Sequence, residues 1–287
     1  MESENRVKLI LILIIGVISV GVSSILIRLT DAEPIVIATY RLTLSALIVT
    51  PLYIFYSKKI SFKESIVFVP LAVFLSTHFV LWIYSLKYTT VASSTVLVTT
   101  NPIFVPIFSY IFFRKKVKRE LLLGIAIAIS GSILIGLSSK GSVAKAPILG
   151  DVLALLGAVA VSLYLTFTNR IRQRFELIPF IFFTYSYTAI ILIIVSIITR
   201  QNLFHYQANT FLMFFLVAFI PQILGHTAYN YSLKYLDPSF IAVTILGEPI
   251  IATIGAYFIL KETPSVLEIV GAVLILLGIY ISARVEV

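Results

Sequence analysis

In the stretch TILGEPIIATIG, residues 244–255, one carboxylate stands inside an apolar run that extends over residues 239–260. An acidic side chain so placed can hold a substrate's ammonium group or carry a proton; it can equally tie helices together or cap backbone carbonyls. Pro249 follows Glu248 at once, lacks an amide hydrogen and disturbs the turn before it, so both readings of Glu248 stay open. Other polar groups share its setting. Gln222, His226, Tyr229 and Asn230, in PQILGHTAYNY, fall at i, i+4, i+7 and i+8, one face of a helix. His78, Trp82 and Ser85, in THFVLWIYS, fall at i, i+4 and i+7. Such a face in an otherwise apolar helix lines a pathway or bonds to a neighbouring helix. Asn101 is an amide in another apolar run, with Ser94 one heptad earlier. Arg41 lies six residues, about 9 Å of helix, from the outer end of its own run. It either snorkels outward or pairs with a carboxylate of substrate or protein.

Much other chemistry is excluded. Zero cysteines leaves no disulfide, no thiolate nucleophile and no cysteine-ligated zinc. The three histidines, His78, His205 and His226, have no metal-ligand spacing, and no Walker loop, GxSxG or GxGxxG occurs. The sequence thus carries no catalytic set, metal site or cofactor motif, and the expectation is a protein that is not an enzyme.

What positions these residues is a bilayer. Of 287 residues, 59% are hydrophobic and 12% charged, about half the charge of a soluble domain. Such a chain cannot cover a water-facing surface. About 20 apolar residues span the hydrocarbon as helix, and ten such runs are present, near 7–28, 35–56, 65–86, 91–112, 120–138, 148–169, 177–199, 211–233, 239–260 and 266–283. They are continuously apolar, which excludes the alternating pattern of a membrane barrel. The first run is longer than a signal-peptide core and no small-residue cleavage site follows it, so it is read as a retained helix.

With the N-terminus placed in the cytoplasm, 15 Lys and Arg fall on inner segments and 6 on outer ones, and Arg41 lies within a span. The positive-inside rule then sets both termini in the cytoplasm. The net charge of +9 is accounted for by topology signals beside anionic lipid, and no nucleic-acid partner is needed.

A repeat organises the runs. YSLKY occurs at 84–88 and again at 231–235, an offset of 147. Without a gap the same offset carries Asn101-Pro102-Ile103 onto Glu248-Pro249-Ile250, Tyr110 onto Tyr257, Gly124 onto Gly271 and Gly131 onto Gly278. The chain reads as a duplicated five-helix unit, residues 1–145 and 146–287. Because five is odd, the second unit enters the membrane from the opposite side, and the two are inverted. The fold class expected is an all-α polytopic membrane protein with ten transmembrane helices in two inverted five-helix repeats, the build of alternating-access carriers with a midplane site.

These repeats resemble the EamA-type family of the drug/metabolite transporter superfamily. The resemblance is carried by the YSLKY ends of both third helices, by NPIFVPIFSYIFF and EPIIATIGAYFILKE in the fourth, and by GAVLILLGIYI in the last. It covers essentially the whole chain and is most specific at EPIIATIGAYFILKETPSVLEIVGAVLILLG. The first repeat departs from the family pattern, with Asn101 before Pro102 in place of an acidic or small residue and FRKKVK after the helix in place of Gly-Glu. The resemblance implies a ten-helix carrier of small metabolites, often an exporter of amino acids or related compounds. The function expected is a secondary transporter in the cytoplasmic membrane, exporter or facilitator, with a proton or sodium ion as a candidate coupling partner. Its expected substrate site draws on Glu248, His226, Tyr229, Asn230, Gln222, His78, Trp82, Asn101 and Arg41. The alternative is a non-transport membrane protein, a lipid-handling enzyme or scaffold, whose reactive groups would gather near one interface and not at the midplane.

Overall fold

The computed structural model describes residues 3–89, 91–138, 146–255, 257–258 and 265–286. Among these residues all regular structure is helical. In chain order the helices are α1 (Val7–Arg28), α2 (Pro34–Tyr56), α3 (Phe62–Tyr88), α4 (Ser93–Phe113), α5 (Arg119–Ser138), α6 (Pro147–Arg172), α7 (Leu177–Ile198), α8 (Ala208–Ser232), α9 (Pro238–Gly255) and α10 (Val266–Glu286). Eight of them, all but α5 and α10, are long and apolar enough over the described residues to cross a membrane.

Local chemistry sets their ends. Pro34, Pro147 and Pro238 occupy the first turns of α2, α6 and α9, where a missing amide hydrogen costs nothing. Asp237 caps α9 by accepting the Ser239 amide at 2.7 Å. Ser61 and Glu64 form a capping box at the start of α3. Arg114 ends α4 in the left-handed region, φ 54°, with its amide on Tyr110 O at 2.9 Å.

Loops alternate between the two ends of the bundle. At one end Glu33 and Lys87 form an ion pair at 2.7 Å, Tyr40 donates to Leu203 O at 2.6 Å, and Thr89 and Ser93 donate to Asp151 at 2.8 and 2.7 Å. At the other, Ser65 meets the Tyr187 hydroxyl at 2.6 Å, Gln173 donates to Lys234 O at 2.8 Å, and Lys115 pairs with Asp237 at 2.6 Å. The seam between α5 and α10 is made of glycine. A Cβ on Gly131 would lie 2.4 Å from Gly271 O, and one on Gly278 would lie 2.5 Å from Gly124 O. Only hydrogen fits at such an approach, so the glycines serve close packing.

Besides a turn at Val22 in α1 and a 3₁₀ stretch Ile66–Phe68 in α3, three helices are less regular than their continuous hydropathy suggests. α4 is broken at Thr99–Thr100, just before the segment Asn101–Phe113. α9 is broken at Leu246–Gly247, between Pro238–Ile245 and Glu248–Gly255. Both breaks are bridged by i→i−3 bonds: Thr100 N to Leu97 O at 3.2 Å in one, Gly247 N to Thr244 O at 3.0 Å in the other. Pro102 and Pro249 explain both, because neither can donate to the carbonyl four residues back and each ring crowds that turn. In α8 the segment Ala218–His226 is a π-helix with Pro221 inside it, the widened turn that a proline permits.

One cation at a helix end is buried. Arg172, the last residue of α6, is 2% exposed. It donates to Asn230 O at 2.9 Å and to Phe175 O, and its guanidinium lies 5.6 Å from the Phe180 ring centre. A last-turn arginine satisfies orphan carbonyls in this way.

Candidate functional site

Six helices, α1, α3, α4, α6, α8 and α9, converge on a cavity of about 30 Å³. His78 and Trp82 reach it from α3, Asn101 from α4, Tyr164 from α6, His226 and Tyr229 from α8, and Glu248 from α9. Val20, Val98, Val161, Leu165 and Ile245 supply most of the apolar wall. The two broken helices matter here. Each break falls immediately before the polar residue, so Asn101 and Glu248 both stand at the first position of a half-helix, where backbone amides lack intrahelical acceptors.

The polar groups on this wall are unequally satisfied. Glu248 is 8% exposed and accepts a hydrogen bond from the Tyr229 hydroxyl at 3.3 Å. Asn101 is fully buried, and neither its side-chain oxygen nor its nitrogen has a partner among the described residues. The Trp82 indole N–H is buried and unpartnered in the same sense. Leaving a buried donor or acceptor unpaired costs about 1–3 kcal/mol. His78 Nδ1 lies 3.0 Å from Gly157 O. A carbonyl can only accept, so Nδ1 carries the hydrogen and Nε2 of the neutral ring is left as an acceptor. The His78 and Trp82 rings stack at 5.9 Å, and His226 meets Phe79 edge to face at 5.3 Å.

Three of the nine residues expected from sequence lie off the cavity wall. Arg41 does not snorkel: it is fully buried, donates to Gln222 Oε1 at 2.8 Å and Ser23 Oγ at 2.9 Å, and sits 4.2 Å over the Phe79 ring. The cation–π contact and two neutral acceptors hold its charge. Gln222 gives its side-chain oxygen to Arg41, and its amide nitrogen has no partner among the described residues. Asn230 accepts from the Tyr164 hydroxyl at 2.8 Å and donates to the Tyr185 hydroxyl at 3.3 Å. The polar face of α8 therefore divides, His226 and Tyr229 toward the cavity, Gln222 and Asn230 into interhelical bonds. The π-turn rephases Gln222 relative to His226, whereas Asn230 lies beyond it in the α-helical turn Thr227–Ser232, about 100° around the helix from Tyr229. Ser85, on the α3 face, is likewise tied to Ser94 at 2.5 Å.

Tyr164 was not anticipated on the wall. It belongs to the α6 face of Val161 and Leu165, not to the face of Ser162, Thr166 and Asn169, whose side chains bond to backbone carbonyls. One tyrosine among 15 in an aromatic-rich chain gives no sequence signal of its own.

A bundle of membrane-length helices closed around a buried cavity with polar groups on its wall defines an integral, multi-pass membrane protein. The sequence model of the EamA-like transporter family matches residues 7–137 and again residues 148–284, and the chain belongs to that family. An uncharacterized transporter of Archaeoglobus fulgidus is 25% identical over 259 residues, 88% of this chain and 89% of its own length. YcxC of Bacillus subtilis, also an uncharacterized transporter, is 24% identical over 278 residues, 91% of this chain and 88% of its own length. An uncharacterized transporter of Clostridium kluyveri is 24% identical over 199 residues, which span 68% of this chain and 64% of that protein. A crystal structure 15% identical in sequence superposes with a TM-score of 0.81 over 97% of both chains, which establishes the likeness of fold alone.

Proposed function

We propose that this chain is a secondary transporter, exporter or facilitator, that moves small metabolites across the cytoplasmic membrane by alternating access, amino acids or related compounds being the favoured class. The carrying observation is the central cavity. Its polar wall draws on α3 and α4 of residues 1–145 and on α6, α8 and α9 of residues 146–287, and it places Asn101 and Glu248, 147 residues apart, at matching helix breaks. Half-helices meeting near the midplane are the site architecture of inverted-repeat carriers. The repeat in sequence and the double family match support ten spans arranged as two inverted units. Glu248 then offers a carboxylate to a substrate ammonium group or a coupling cation, Asn101 and Trp82 offer unpaired hydrogen-bonding groups, and His226, Tyr229 and His78 complete the wall. Arg41, Gln222 and Asn230 act behind it.

Size supports motion. A cavity of about 30 Å³ has room for about two waters, whereas small-molecule sites run to several hundred Å³. A metabolite enters only if the helices separate, and the ties at the two ends, Asp151 with Thr89 and Ser93, Lys115 with Asp237, are the contacts that opening would release.

Reconstitution into liposomes with a panel of labelled amino acids and related metabolites tests this reading. Saturable flux for at least one compound is expected; none across a broad panel contradicts it. Topology is tested separately on this cysteine-free chain. A cysteine at Lys58 should label from the cytoplasm and one at Gln201 from outside, and labelling of both from one side contradicts the alternation.

A further inference from the structure

We infer that the groove beneath the loop joining α4 to α5 is a binding site for an anionic phospholipid of the leaflet it faces. The groove, about 480 Å³, has an apolar floor of Ile107, Tyr110 and Ile111 from α4 and Leu122 from α5, with Lys115 and Lys116 on its rim. The four floor residues are each at least 47% exposed. They belong to a membrane-length helix and its neighbour, so the medium they meet is acyl chain. The rim meets headgroups.

Charge decides which lipid. Residues 114–119 read RKKVKR, five cations in six positions, with Glu120 following. Asp237 engages Lys115 at 2.6 Å, so that pair anchors the loop and leaves Lys116 and Arg114 as exposed cations beside the groove. The loop is also fixed at its start. Arg114 N bonds to Tyr110 O at 2.9 Å, Lys115 N to Ser109 O at 3.2 Å, and the Arg114 guanidinium lies 5.8 Å from the Tyr110 ring. A phosphate diester carries one negative charge at the depth of these cations, while its chains match the floor below. The corresponding segment of the second half, KETPSV at 261–266, has one Lys cancelled by one Glu, so the site belongs to one half only.

Each basic residue near an anionic surface strengthens lipid binding by about fivefold. Native mass spectrometry of the full chain, delipidated in detergent and titrated with phosphatidylglycerol or phosphatidylcholine, tests the assignment. Wild type should bind phosphatidylglycerol selectively, and Lys116→Gln with Arg114→Gln should weaken that binding about 25-fold. Removing two exposed charges at the same end of the bundle, Lys58→Gln with Lys63→Gln, should leave it unchanged. Equal binding of both lipids overturns the inference, as does an unchanged affinity in the Lys116/Arg114 variant. Displacement of the lipid by millimolar inorganic phosphate would assign the rim to a free anion instead. A stable dimer that protects a cysteine at Ile107 from labelling would assign the groove to a second copy of the chain. Either result overturns the lipid proposal.

Discussion

The broken helices α4 and α9 are the same device with different chemistry. Each carries its break one residue before a polar side chain and two before a proline, and each presents that side chain to the central cavity. In α4 the side chain is Asn101, neutral and unpartnered; in α9 it is Glu248, ionisable and held by Tyr229. Beyond the helices the difference widens, RKKVKR following α4 and KETPSV following α9. The break before a proline is common to both helices, while the side-chain chemistry differs. The cavity therefore meets the same kind of helix break twice, with a neutral side chain at one and an ionisable one at the other.

The largest effect expected falls where the two halves still agree. Gly131→Val and Gly271→Val each drive a side chain into the other glycine's carbonyl, at 2.4 and 2.5 Å for the first carbon alone. Overpacking of that kind costs about 3 kcal/mol or more, and the losses should be equal, read as thermal midpoints in detergent. Tolerance of one substitution and not the other would show that the seam is not reciprocal.

On the cavity wall, Trp82→Ala and His226→Ala should lower reconstituted flux by about tenfold at equal membrane expression, the size of a lost substrate contact. Normal flux in both returns those rings to packing. Asn101→Leu should act in two directions. Removing an unpaired buried amide relieves a cost of about 1–3 kcal/mol, so the protein should melt higher, yet loss of a neutral hydrogen bond to substrate should slow transport about two- to tenfold. A higher midpoint with unchanged flux would mean that Asn101 touches nothing that is carried. The smallest effect expected is at Lys115, whose side chain is 47% exposed in its pair with Asp237. Lys115→Met should change stability by less than about 1 kcal/mol; a larger loss would make the pair a principal tie between the halves.

Most of the fold could be read in advance because hydrophobic thickness fixes span length. The runs expected at 35–56 and 177–199 are helices Pro34–Tyr56 and Leu177–Ile198. Backbone breaks inside a span were less visible, since hydropathy runs straight through Thr99–Thr100 and Leu246–Gly247; Pro249 alone announced a disturbed turn ahead of it. The polar residues of the wall were recognisable by type, but which of them face the cavity was not. Gln222 and Asn230 share the spacing of His226 and Tyr229; the π-turn rephases Gln222, and the partners Arg41 and Tyr164 engage Gln222 and Asn230. Arg41 itself was ambiguous because about 9 Å of helix leaves both a snorkelling and a buried pose within reach.

Glu248→Gln is the most direct test of the account, because it keeps the shape and the Tyr229 contact while removing the charge that distinguishes the second half from the first. In liposomes, with the substrate that the panel identifies, the account predicts flux reduced by at least about tenfold, the scale of a lost charged hydrogen bond, and a pH profile flatter than that of wild type. Wild-type flux with an unchanged pH profile, in protein that inserts and folds normally, would contradict it and leave Glu248 a structural tie.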